Sequence, residues 1–236
     1  MRILFVRHGE PDYEKDCLTP RGRQQAREAA KRLEREGINE IYASPCGRAY
    51  ETAQATAELL GLPVTVLDYM HEISWGGPGI PEGGHLWTLS DRMLEEGFDF
   101  HTKDWREHPY FKENSALGYY DLISEKIDAF LLSYGYRHEG MRYFCEAAEP
   151  AGASRTIAVF SHGGSGACAM AHLLGIPFPY YLCVYPYDYT SVISLDFPYR
   201  EGCFVHPRVE IFGDAEHIKG ISDGLAFQQT PDQEAL

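Results

Sequence analysis

Leu4-Phe5-Val6-Arg7-His8-Gly9-Glu10 sets an apolar run directly against a guanidinium, an imidazole and a glycine. A short apolar run closed by a breaker reads as a buried strand, here at 3–6. In α/β folds, ligands gather beyond the carboxyl ends of such strands. The same order of events recurs late in the chain. The stretch 156–161 is apolar and β-branched, and Phe160-Ser161 runs into His162-Gly163-Gly164-Ser165-Gly166. In one parallel sheet both exits fall on one edge, which makes His8 and His162 neighbours with Arg7 beside them.

The chain between these stretches supports such a sheet. Thr19-Pro20 carries the signature of a helix start, an N-cap threonine followed by proline at the first helical position. Alanines and Leu33 at helical spacing extend that helix to about 36, where Gly37 suits its end. A second strand is expected at 38–43, a second helix at 48–60 and a third strand at 64–67. This β-α-β-α-β alternation predicts an α/β fold, a three-layer sandwich with a mostly parallel central sheet flanked by helices. Further strands are expected at 156–161, 191–197 and 203–212, the last two as a hairpin at the sheet edge. The middle differs. A breaker-rich loop around Gly76 to Gly84 leads into two helical stretches, 86–96 and 117–134, separated by a polar, aromatic-rich segment. We read 78–152 as a helical insertion over the active-site edge of a single domain, 1–236. The tail from Asp223 is polar, without apolar period, and is expected to fray.

Composition narrows the function. The formal net charge is −14 over 236 residues, which argues against nucleic-acid binding and against attraction to anionic membranes. No apolar run reaches the roughly 18–20 residues of a membrane span. The six cysteines are widely spaced, form no Cys-x-x-Cys motif and follow no secretory signal. They are expected to be reduced in a cytoplasmic protein.

An anion site on so acidic a chain needs local cations. Arg48 opens the second helix and joins Arg7 on the same edge, and the helix starts at Gly47 and Gly163 add backbone N–H donors. Guanidinium forks match tetrahedral oxyanions, and phosphate is the leading candidate. A neutral imidazole is a nucleophile for phosphorus, and nearby cations keep it unprotonated. The arginines and His162 would hold the oxygens of the transferring group. A leaving alkoxide needs a proton, and Glu72, after the third strand, is placed to supply one. His172 and His217 read as packing or hydrogen-bonding groups.

At this point the sequence resembles the histidine phosphatase superfamily, the phosphoglycerate-mutase-like enzymes. Arg7-His8-Gly9-Glu10 is similar to the signature whose histidine becomes phosphorylated. Leu18-Thr19 with Gly22, the stretch Ser44-Pro45 to Thr52-Ala53, Glu72 with Trp75-Gly76, Ser161-His162-Gly163-Gly164 and Gly213-Asp214-Ala215-Glu216-His217 are similar to its later motifs, in order. The resemblance implies catalysis by His8, His162 and Glu72, with phosphate bound by Arg7, Arg48, His162 and Gly163. There are departures. Tyr13 and Glu14 stand where mutases and several phosphatases of the family carry Trp-Asn, so Glu14 is expected to point away. The family's Trp-Glu-Gly after the donor region is missing, which makes Glu82 a second candidate acid.

The expected activity is hydrolysis of a small phosphorylated metabolite through a phosphohistidine, with phosphoglycerate mutase-type transfer as the alternative. A non-catalytic phospho-ligand binding module, or a serine hydrolase using Ser165 on a loosened nucleophile elbow, ranks lower. No His-x-x-x-His pair is present, and the arginines repel a cation, so no metal and no cofactor are expected.

Overall fold

Strand β1 (Arg2–Arg7) is buried on both faces, which is why it reads as an unbroken apolar run. Ile3 and Phe5 point to one face, Leu4 and Val6 to the other. The structure, a computed structural model, describes residues 1–146, 154–185 and 188–221. The tail expected to fray and the end of the 78–152 stretch, from 147 on, lie outside the described residues.

Thr19 caps helix α1 (Pro20–Leu33): its Oγ1 accepts from the Gly22 N–H at 2.9 Å, with Pro20 at the first helical position. Such a cap is worth about 1 kcal/mol. The α-helix stops at Leu33 and tightens into a 3₁₀ turn, Glu34–Glu36, before Gly37. Strand β4 (Glu40–Ala43), helix α2 (Gly47–Leu60) and strand β5 (Val64–Val66) follow, after the two-residue strands β2 (Pro11–Asp12) and β3 (Cys17–Leu18). Helices α3 (Leu86–Glu95) and α4 (Ser115–Ser133) occupy the middle of the chain.

A hairpin not anticipated from the sequence comes next, β6 (Tyr136–Glu139) and β7 (Arg142–Cys145). It turns at Gly140, whose φ of 65° suits a residue without a side chain. Its inward residues Tyr136, Tyr143 and Cys145 are fully buried, so the 78–152 stretch is not purely helical. Strand β8 (Thr156–Ser161), helix α5 (Gly163–Leu174) and helix α6 (Phe178–Val184) restore the alternation. Strand β9 (Val192–Asp196), the two-residue β10 (Phe204–Val205) and β11 (Arg208–Asp214) end the described chain.

The main sheet has the order β11-β9-β1-β8-β4-β5. β1, β8, β4 and β5 are parallel, and β9 and β11 run antiparallel to their neighbours. The expected edge hairpin therefore exists as β9 and β11, while β10 leaves it to pair with β7 in a second, three-stranded sheet. Helices α1 and α2 cover one face over Leu4, Val6, Ala158 and Phe160. Helices α4, α5 and α6 cover the other over Phe5, Ile157, Val159 and Ile193. All six cysteines are free thiols. Among the described residues no single helix is long and apolar enough to cross a membrane.

Candidate active site

Register decides the site. Val6 pairs with Phe160 and Arg7 with Ser161 in the parallel β1–β8 ladder, so His8 and His162 leave the sheet side by side. Their ring centroids lie 5.1 Å apart. The His8 N–H donates to the Ser161 carbonyl at 3.0 Å, which extends the ladder past the last paired residues. Both rings are buried.

The two rings are held differently. Nδ1 of His8 lies 2.7 Å from the Gly9 carbonyl oxygen. A carbonyl only accepts, so Nδ1 carries the proton and Nε2 presents a lone pair. Nε2 of His162 lies 2.7 Å from the Ser44 hydroxyl, which also accepts from the Cys46 N–H at 3.2 Å. Burial is the main reason both imidazoles sit well below their ordinary pKa. For His8, Arg7 and then Arg48 push further in the same direction. For His162, the other histidine and the same two arginines do so.

Arg7 and Arg48 are 7% and 9% exposed, the degree of burial expected of pocket-lining cations rather than surface ones. Arg7 lies over the Tyr189 ring with its Cζ 4.6 Å from the centroid. Arg48, in the first turn of α2, lies 5.3 Å from the Tyr13 ring centroid. Glu14 is exposed.

Glu72 reaches the start of α5. Its Oε1 accepts from the N–H groups of Ser165 and Ile73, each at 3.0 Å, and its Oε2 from Gly164 at 3.4 Å. A carboxylate there also faces the positive end of the helix dipole. The approach depends on Gly164, since a Cβ on it would stand 2.7 Å from Glu72 Oε1 and 2.6 Å from Ile73 Cγ1. Gly163 opens the same helix, with the Arg7 guanidinium carbon 3.8 Å from where its Cβ would be. Glu82 lies elsewhere: it is exposed and pairs with Arg92 at 2.7 Å. Thus Arg7, His8, Arg48, Glu72, His162 and Gly163 converge on the edge where β1, β4 and β8 end, and Glu82 does not join them.

Ser165 is no nucleophile. Its hydroxyl donates to the Met70 carbonyl at 3.1 Å, and its N–H is engaged by Glu72. The serine hydrolase alternative lacks the base beside that oxygen that such chemistry needs.

Three contributors escaped the sequence reading. Asp16 accepts from the Gly47 N–H at 2.7 Å and from Arg48 Nη1 at 2.5 Å, and its φ is 46°. It ties the loop after β1 to the start of α2 and aims Arg48. Tyr189 packs against His8 at 5.7 Å between ring centroids. Thr190 donates its N–H to the His8 carbonyl at 3.2 Å, and its Oγ1 lies 3.0 Å from His217 Nε2. Its φ of 56° is rare for a β-branched residue and costs on the order of 1–3 kcal/mol. These two residues precede β9, which is antiparallel, so its beginning rather than its end meets the site. A sequence scan for strand exits looks at the wrong end of such a strand. The loop bond from Gly9 N–H to the Thr52 hydroxyl, at 3.0 Å, is likewise non-local.

One wall comes from the middle of the chain. Trp87, on α3, brings Cζ2 to 3.7 Å from the Cβ position of Gly163. It packs with Trp75 and His85, at 5.8 and 5.4 Å between centroids.

Comparison with known proteins relates the chain to phosphatases and mutases. Residues 3–115 match the model of the histidine phosphatase superfamily, branch 1. "Putative phosphoserine phosphatase 2" of Hydrogenobacter thermophilus is 33% identical over 97 residues, which cover 37% of this chain and 46% of that protein. The match thus spans about half the length of that relative. "Probable phosphoglycerate mutase GpmB" of an Enterobacter species is 27% identical over 186 residues, 75% of this chain and 76% of that one. A phosphoserine phosphatase mutant of Entamoeba histolytica, solved in complex with phosphoserine, shares the fold with a TM-score of 0.58 at 23% identity, covering 92% of this chain and 98% of that one.

Proposed function

We propose that this chain, whose residues 3–115 match the histidine phosphatase superfamily model, is a phosphomonoesterase of that superfamily acting through a phosphohistidine on a small phosphorylated metabolite. The observation that carries this reading is the 2.7 Å approach of His8 Nδ1 to the Gly9 carbonyl. It leaves Nε2 unprotonated, with two guanidiniums beside it to hold a phosphoryl group.

The steps follow from the residues. Nε2 of His8 attacks phosphorus while the bond to the leaving oxygen breaks. Arg7, Arg48 and His162 hold the oxygens of the transferring group, and the N–H donors at Gly163 face them. Glu72, as the acid, gives its proton to the leaving alkoxide. It then takes a proton from water, whose oxygen attacks phosphorus and releases His8. The positive charge that offsets the anion in these steps comes from the guanidiniums of Arg7 and Arg48, and the neutral imidazoles act as nucleophile and hydrogen-bonding group. Trp87 and its aromatic neighbours stand at the wall where the leaving group would lie, so substrate choice resides in α3 and the loop before it.

The test is incubation with a phosphomonoester and trapping of the phosphoenzyme. An acid-labile, alkali-stable label that is absent in His8→Ala supports the assignment. An acid-stable label, or one that survives in His8→Ala, refutes it. The relatives named as phosphoglycerate mutases favour a second reading, phosphoryl transfer between phosphoglycerates. It predicts dependence on a bisphosphorylated primer, and a purely hydrolytic product profile would exclude it.

A further inference from the structure

A second group of ligating side chains lies away from this pocket, at the far end of α5. Asp128 comes from α4, His138 from β6 and His172 from the last turn of α5. His172 is nine residues from Gly163, about 14 Å along the helix at 1.5 Å per residue. Nδ1 of His138 and Nε2 of His172 each lie 2.8 Å from Asp128 Oδ1. One ligand atom from each residue falls within 4.8 Å of the other two.

We propose that Asp128, His138 and His172 form a site for one borderline divalent cation, with Zn²⁺ the ion this ligand set suits best.

Two imidazoles and a carboxylate are a nitrogen–oxygen set preferred by zinc and its neighbours over calcium or magnesium. The rings are pre-positioned. His138 stacks on Tyr143 with centroids 4.5 Å apart and planes 7° apart. The Tyr143 hydroxyl donates to the Leu173 carbonyl at 3.2 Å, next to His172 in the chain. The site is accessible, since the Asp128 side chain is 37% exposed while the histidine side chains are 12% and 17% exposed. That leaves an entry route and a fourth position for water. Without the ion both rings donate to the same carboxylate oxygen. Binding moves each ring proton to the far nitrogen and turns the near lone pair to the cation, so neutral rings release no net proton. The ion would carry a residual charge of +1 after the carboxylate, in a chain whose net charge is −14. Its role is a brace: one ion joins α4, the β6–β7 hairpin and the end of the helix whose other end presents Gly163 and the backbone donors to Glu72.

The test uses the metal-stripped full chain titrated with Zn²⁺ by calorimetry. One ion per chain is expected, with Tm raised by about 5 °C or more at ~100-fold excess over Kd. His138→Asn and His172→Gln each keep an N–H near the position of the nitrogen that meets Asp128. They preserve the metal-free pairing and remove a ligand. Each is expected to weaken Zn²⁺ binding by about 100-fold or more. Uptake that is unchanged in both variants assigns the ion to other groups, such as the free thiols, and overturns the proposal. So does the absence of uptake by the wild-type chain, which leaves a hydrogen-bonded trio only. Should either variant fail to fold, the wild type decides through Co²⁺ spectra. One equivalent with d–d bands and no thiolate charge transfer supports the site, and a thiolate band overturns it.

Discussion

The rings of His8 and His162 face each other across a parallel strand pair, 5.1 Å between centroids and tilted by 59°. Each belongs to a different segment, 154 positions apart (162 − 8) in the chain, yet the register of β1 on β8 makes the two exits adjacent. Two neutral imidazoles under two guanidiniums form a pocket that is cationic overall and still nucleophilic. That combination is the chemical content of the site.

The division of labour between the rings is testable. His8→Ala removes the attacking nitrogen, and phosphate release should fall by about 10³-fold or more. His162→Ala removes a group that stabilises charge, and a loss of about 10²–10³-fold is expected. A trapped phosphoenzyme should persist at low level in the second variant and vanish in the first. Equal labelling of both would mean that the nucleophile is misassigned.

The pH dependence follows from the depressed pKa of His8. Its unprotonated ring is the reactive form, and burial followed by Arg7 and Arg48 keeps it so as pH falls. The acid limb of kcat/KM that belongs to the enzyme should therefore lie below the ordinary imidazole value of about 6.5. Arg48→Gln removes a cation that lowers this pKa, so the limb should move to higher pH while the substrate's own ionisation stays put. Profiles of the two proteins that superimpose after scaling would contradict this. The same shift means that stability falls as pH drops below about 6.5, because unfolding frees His8 to accept a proton its buried ring disfavours.

Glu72 has two readings, a proton donor and a cap on α5, and the leaving group separates them. Glu72→Gln keeps the shape and can still accept from Ser165 and Ile73. If Glu72 supplies the proton, turnover of alkyl phosphates should drop by about 10²–10⁴-fold. Turnover of p-nitrophenyl phosphate, whose leaving group needs little help, should drop far less. Equal losses on both substrates would reduce Glu72 to a structural cap.

Asp16 holds one arm of Arg48 and the first N–H of α2. Asp16→Ala frees the guanidinium and should raise KM more than it lowers kcat, because it acts on binding geometry and not on bond breaking. A pure kcat effect would place Asp16 in the chemistry itself.

The loop after β1 is pressed against α1. A Cβ on Gly22 would meet the Glu10 carbonyl oxygen at 2.1 Å. Gly22→Ala must displace backbone, and a loss of about 1–3 kcal/mol is expected in denaturant unfolding. Because Glu10 lies two residues from His8, activity should fall with it. Unchanged midpoint and activity would show that the loop yields without cost.

The strand exits at Arg7-His8 and Ser161-His162, the capped helix at Thr19-Pro20 and the Arg48 helix start were legible because each is a local pattern: an apolar run and its breaker, a cap and its proline. The β6–β7 hairpin was harder, since its alternation covers only four residues a side and follows a long helix without an apolar break. The small sheet is completed by Phe204-Val205, some sixty residues on, and no local window contains that pairing.

What the sequence by itself determined is the chemistry on offer: which side chains end the parallel strands, and hence that imidazoles and guanidiniums meet on one edge of the sheet. Only the tertiary structure decided which other groups join them. Asp16 enters through a left-handed backbone turn, and Tyr189 and Thr190 enter because β9 runs antiparallel and presents its beginning. Asp128, His138 and His172 meet because α4, β6 and α5 pack against one another. Strand polarity and helix packing are long-range outcomes of burying apolar surface, and they set these neighbours without leaving a motif in the chain.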